Sequence, residues 1–306
     1  MAQMSEPPEW DSPSPDPNDE QFGDVVEPVT IDEADAYDVV LVGEPYDEAV
    51  LGRPGARGGP AALRRSLAGA KSAHLTEGSV TSIGDLGNID VPAGQTVTAA
   101  QDSIREVTER IHALDAFPVF LGGDHSLVFP NVAPLIGRYD SVGVVNLDAH
   151  ADVRRVDGQP NNGTPFRQLF EAGLQSYVLV GARHFETSQP YLMYLREHGA
   201  TVISAPEAGT APIETADAAV EALGDVEAVY LSCDIDVLDM SGSLGSTAPT
   251  PGGLSSRELY QILYELSQMS RLVGFELVGC APSLDSERKS VKAGSRAIAH
   301  VISGRQ

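Results

Sequence analysis

The chain has 306 residues, 44 of them acidic and 20 basic, for a formal charge of -24, which excludes nucleic acids and anionic membranes as partners because they carry charge of the same sign. An acidic excess spread over the whole length marks a heavily hydrated surface and a halophilic habitat, since at molar salt a Debye length of about 3 Å suppresses repulsion between carboxylates. The 2 cysteines, Cys233 and Cys280, exclude a disulfide framework and a thiolate zinc site. No apolar run approaches the ~20 residues of a membrane span and no basic-then-apolar leader is present, so a cytoplasmic protein is expected.

Residues 1–35 hold Pro7, Pro8, Pro13, Pro15 and Pro17 among Asp, Glu and Ser, a composition expected to form a disordered acidic tail. Residues 36–306 read as one domain. Short apolar runs at 38–43, 118–121, 141–147, 177–180, 200–204, 228–233 and 272–278 predict buried strands. Helical spacing of Ile104, Val107, Ile111 and Leu114, and later of Leu259, Ile262, Leu263 and Leu266, alternates with them. That alternation predicts an α/β fold with a parallel sheet and crossover helices.

Three polar motifs each follow a predicted strand: Asp124-His125, Asp148-Ala149-His150-Ala151-Asp152, and Asp234-Ile235-Asp236. Any one of them is equally a helix cap or a turn. Together, at the carboxyl ends of parallel strands where ligands bind, they build one site. Two imidazoles and four carboxylates suffice for two divalent ions, and oxygen-rich ligation without thiolate favours Mn2+ over Zn2+. The two-residue spacing within the motifs predicts extended segments whose alternate side chains face the ions together. Such a pair acidifies water toward neutrality and predicts a hydrolase.

These motifs, with Arg53-Pro54-Gly55-Ala56-Arg57-Gly58-Gly59-Pro60 and Pro251-Gly252-Gly253-Leu254, resemble the arginase, agmatinase and formimidoylglutamase family over about residues 37–303. The resemblance implies a three-layer α/β/α sandwich with a mostly parallel sheet of about eight strands, homo-oligomers (trimers or hexamers), and two Mn2+ per subunit. The ligands it implies are His125, Asp148, His150, Asp152, Asp234 and Asp236, with Asp148 and Asp234 bridging.

Within the family, the stretch Asn162-Gly163-Thr164-Pro165-Phe166-Arg167-Gln168-Leu169 is similar to formimidoylglutamases, where arginases carry a proton-shuttling histidine. Asn162 and Phe166 are thus expected at the substrate. Arg154, two residues past Asp152, suits a substrate carboxylate through charge-assisted bonds. Arg183, His184 and Glu186 are expected to border the pocket, with Arg183 and His184 available for a second carboxylate. The implied reaction is hydrolysis of N-formimidoyl-L-glutamate to L-glutamate and formamide, with His150 and Asp152 in catalytic roles and Asp152 relaying the proton.

The family usually places a glutamate, paired with the cationic substrate, where this chain has Gly279. Two alternatives therefore stay open: an agmatinase or other guanidino or amidino hydrolase, and a metal-binding protein impaired in turnover. Glu276, three residues earlier, is expected on the opposite face of its strand.

Overall fold

The structure, a computed structural model, describes residues 2–306. Ten strands form one sheet: β1 (Gln3–Met4), β2 (Val26–Pro28), β3 (Val39–Gly43), β4 (Ile83–Asp90), β5 (Phe117–Leu121), β6 (Val142–Leu147), β7 (Ser176–Ala182), β8 (Thr201–Ser204), β9 (Ala228–Asp234) and β10 (Leu272–Val278). Their spatial order is β1-β4-β3-β5-β10-β9-β6-β7-β8, with β2 also on β4. From β4 to β8 every pairing is parallel. Only β1 runs antiparallel.

Strand residues alternate between two cores, as the period of two requires. Val39, Leu41, Val119, Leu121, Val145 and Leu147 face one core, which also holds buried residues of helices Gly59–Ala68, Ser256–Ser267 and Lys289–Arg305. Val40, Val42, Phe120 and Val144 face the other, with helices Val97–Ile111, Val128–Arg138 and Pro165–Ala172. This is a three-layer α/β/α sandwich. The predicted strands all occur within one or two residues of their expected bounds. β4 escapes prediction because Gly84, Asp85, Gly87 and Asn88 interrupt its apolar pattern.

The expectation of a disordered tail over 1–35 needs correction for residues 2–35, residue 1 lying outside the described residues. β1 and β2 cover the outer edge of β4, Phe22 is 1% exposed, and the Trp10 indole donates to Asp85 at 2.8 Å. Asp85 is in turn paired with buried Arg64 at 2.7 Å. A low average hydrophobicity does not register that a few well-spaced residues meet an open sheet edge, whose unpaired backbone groups reward pairing. No helix among the described residues is long and apolar enough to cross a membrane.

Candidate metal centre

At the end of β9, one residue past β6 and three residues past β5 stands an aspartate whose Oδ1 accepts the backbone N–H two residues on: Asp234 from Asp236 (2.9 Å), Asp148 from His150 (2.7 Å) and Asp124 from Ser126 (2.9 Å). Aspartate favours this local turn because its short carboxylate reaches its own backbone. The turns, not an extended alternation, aim the ligands, which corrects the sequence expectation. Asp152 completes the second motif at φ +46°, a left-handed conformation that returns its carboxylate to His125.

His125 Nδ1 lies 3.1 Å from Asp148, 2.9 Å from Asp152 and 3.7 Å from Asp234, yet this buried nitrogen has no well-directed hydrogen-bond partner. His150 Nδ1 lies 3.2 Å from Asp236 and 3.5 Å from Asp148. Two ligand groups result, His125/Asp148/Asp234 and Asp148/His150/Asp236, each with donor atoms within 4.8 Å of one another. Asp148 belongs to both. An undirected buried imidazole nitrogen facing carboxylates, with oxygen donors and no thiolate, fits a pair of divalent ions.

The electrostatics point the same way. Burial raises Asp236 to about 6, aided by the Asp148 charge, and burial with the charges of Asp236 and Asp148 holds Asp234 well above the carboxylate range. Burial opposes charge on the imidazoles too, but surrounding carboxylates outweigh it, and His150 is pushed up to about 12. The cluster therefore demands positive charge.

Behind His125 lies a support that the motifs do not announce. Its Nε2 meets the Ser232 hydroxyl at 3.0 Å, and that hydroxyl donates to Glu276 Oε1 at 2.6 Å. Asn131 Nδ2 bridges Glu276 (2.9 Å) and Glu44 (3.0 Å), both buried. Ser232 thus accepts from Nε2–H and leaves the Nδ1 lone pair for a metal. Glu276 does face away from the ligands, but it works through Ser232. Only the serine two residues before Asp234 offered a signal in the sequence. Ser232→Ala is expected to weaken Mn2+ binding by about 10- to 100-fold, measured by titration calorimetry; unchanged affinity would dismiss the relay.

Phe166 is 0% exposed and packs edge-on to His125 with ring centroids 5.4 Å apart. It braces His125 and offers no open surface, unlike the substrate contact expected of it, because the first turn of helix Pro165–Ala172 points inward under the cluster. Arg183 also differs from expectation. Its guanidinium is buried against backbone carbonyls, so it cannot meet a substrate carboxylate.

Arg154 and His184 are exposed. Asn162 ties two loops together, since its Oδ1 accepts from Leu51 N at 2.8 Å and its N–H donates to Ala49 O at 2.9 Å. Glu186 stands 3.8 Å from His150 Nε2 at the surface. Among the ligand side chains, Asp152 at 13% and His150 at 22% exposure are the open ones. Approach is therefore from their side, beneath Glu186.

The chain is similar to known proteins along nearly its whole length. The formimidoylglutamase of Halobacterium salinarum is 49% identical over 97% of this chain and 98% of its own. The crystal structure of formimidoylglutamase from Bacillus subtilis superposes with a TM-score of 0.89 at 27% identity, covering 96% of this chain and 94% of the other. Trypanosoma cruzi formiminoglutamase with Mn2+ superposes with a TM-score of 0.80 at 26% identity, covering 88% of this chain and 93% of the other. The model of the Arginase family matches residues 37–304, and with three motifs converging on one doubly grouped cluster, the chain belongs to that family.

Proposed function

We propose that this protein is a formimidoylglutamase, hydrolysing N-formimidoyl-L-glutamate to L-glutamate and formamide at a pair of Mn2+ ions. The observation that carries the substrate assignment is the likeness to the Halobacterium salinarum formimidoylglutamase along nearly the full length of both chains. His125, Asp148 and Asp234 would hold one ion and Asp148, His150 and Asp236 the other, with Asp152 closing the first group. When bound, such a pair lowers the pKa of water toward neutrality and acts as a Lewis acid.

The residues of the chain then divide the remaining work. The water oxygen joins the formimidoyl carbon, the bond from that carbon to the glutamate nitrogen breaks, and the nitrogen leaves protonated. Asp152, the partly open carboxylate that closes the first group, carries the proton. Glu186, next to His150, supplies the carboxylate that pairs with the cationic amidine. Arg154, the exposed guanidinium just past Asp152, takes a glutamate carboxylate, and exposed His184 lies on the same rim segment as Glu186.

Incubation with Mn2+ and, separately, N-formimidoyl-L-glutamate, agmatine, arginine and 4-guanidinobutyrate tests the assignment. Formamide from the first alone is expected; urea from any guanidine would overturn it. Arg154→Ala is expected to raise KM by roughly 10-fold or more with kcat little changed, as loss of one charge-assisted bond implies. A fall in kcat at constant KM would remove Arg154 from the carboxylate.

The charge of -24 supports an enzyme that works at high salt. Its thermal midpoint is expected to climb as KCl rises from 0.1 M toward molar concentrations. A flat or falling midpoint would sink the halophilic reading.

A further inference from the structure

Arg183 follows the end of β7, and its side chain reaches toward the turn that follows β9. It is 7% exposed. Nη1 donates to Gly181 O at 2.5 Å, and Nη2 faces three successive carbonyls, Asp236 (2.9 Å), Val237 (2.8 Å) and Leu238 (3.1 Å). Its backbone N–H donates to Ala149 O at 3.1 Å, between Asp148 and His150. Among the described residues no carboxylate comes within ion-pair distance of it. A buried cation that forgoes direct pairing is costly unless its surroundings are organised for it.

They are organised for it at Nη1 and Nη2, while the buried Nε finds no partner. Leu254 N–H donates to Val237 O at 3.0 Å, so the Pro251-Gly252-Gly253-Leu254 segment covers the same turn. At Gly253 a Cβ would overlap the Arg183 guanidinium, so only glycine leaves that cation its place. Burial works against the charge, while Asp236 and Asp148 favour it. One residue thus grips the backbones of two ligand turns: Ala149 through its own backbone, and Asp236 to Leu238 through its guanidinium. Asp236 Oδ1 meets Ala149 N–H at 3.3 Å, closing the loop between them.

We propose that Arg183 is a positioning residue for one half of the metal pair, its guanidinium holding the turn that carries Asp236 at the spacing from His150 which that half requires. The proposal rests on the Mn2+-pair reading above. Neither His125 nor Asp234 accepts any bond from it, so the other half keeps its own support through Ser232 and Glu276.

The test is Mn2+ titration of purified wild type, Arg183→Lys and Arg183→Gln, with low-temperature electron paramagnetic resonance at two equivalents. Wild type should bind two ions and give the spectrum of a coupled pair; if it does not, the metal-pair reading itself falls. Both variants should keep the wild-type circular dichroism without metal and bind a first ion within about threefold of wild type. The second should weaken by about 10- to 100-fold, and isolated-ion signal should replace the coupled spectrum. Lysine should recover part of the loss that glutamine suffers, because an ammonium still reaches carbonyls. Equal weakening of both ions, or of neither, overturns the proposal. Unfolding of both variants in the absence of metal also overturns it, since Arg183 would then secure the fold and not the centre.

Discussion

Gly279→Ala and Gly279→Glu are expected to lower Mn2+ affinity by on the order of 100-fold, at the upper end of what displaced ligand support costs, and to remove turnover with it. Gly279 has φ +76°, and its N–H donates to Gly123 O at 2.8 Å as β10 ends. A Cβ there would lie 2.8 Å from Asp234 Cγ and from Oδ2, closer than real side chains allow. The backbone strain adds about 1–3 kcal/mol. Read from sequence, this glycine stands where a substrate-binding glutamate is expected; in the fold it also leaves room for the Asp234 carboxylate in the cluster. A Gly279→Glu protein that binds two Mn2+ by elemental analysis and hydrolyses substrate faster than wild type would restore the impaired-enzyme alternative.

The two readings of Gly279 show what a sequence carries. Residue type and strand position single out His125, Asp148, His150, Asp152, Asp234 and Asp236 as one candidate cluster, because continuous apolar runs mark the parallel strands and ligands gather past their ends. What aims those side chains is less legible. The Asx-type turns at Asp124, Asp148 and Asp234 look identical in sequence to an extended alternation, and only the backbone bonds separate them.

Long-range partners are the other hidden part. Arg183 reads as a rim cation because the carbonyls that Nη2 meets are 53 to 55 residues away. Phe166 reads as a pocket residue until helix Pro165–Ala172 turns it beneath His125. The N-terminal segment reads as a tail because the sheet edge it covers, β4, is itself the strand that polar residues conceal.

Asp148→Asn should have the broadest effect of any isosteric change in the centre. Asp148 contributes to both ligand groups, its Oδ2 accepts from Asn146 Nδ2 at 3.2 Å, and the two imidazoles hold it ionised and below the usual carboxylate range despite its burial. An amide keeps the shape but removes the shared charge, so both ions should be lost together. Lewis-acid assistance amounts to several kcal/mol, which at about 1.4 kcal/mol per tenfold predicts a fall in kcat/KM of at least about a thousandfold. Asp236→Asn, which touches one group only, should retain a single ion of near wild-type affinity. Metal stoichiometry distinguishes the cases: two ions retained by Asp148→Asn, or none retained by Asp236→Asn, would mean that Asp148 is not the carboxylate the two halves share.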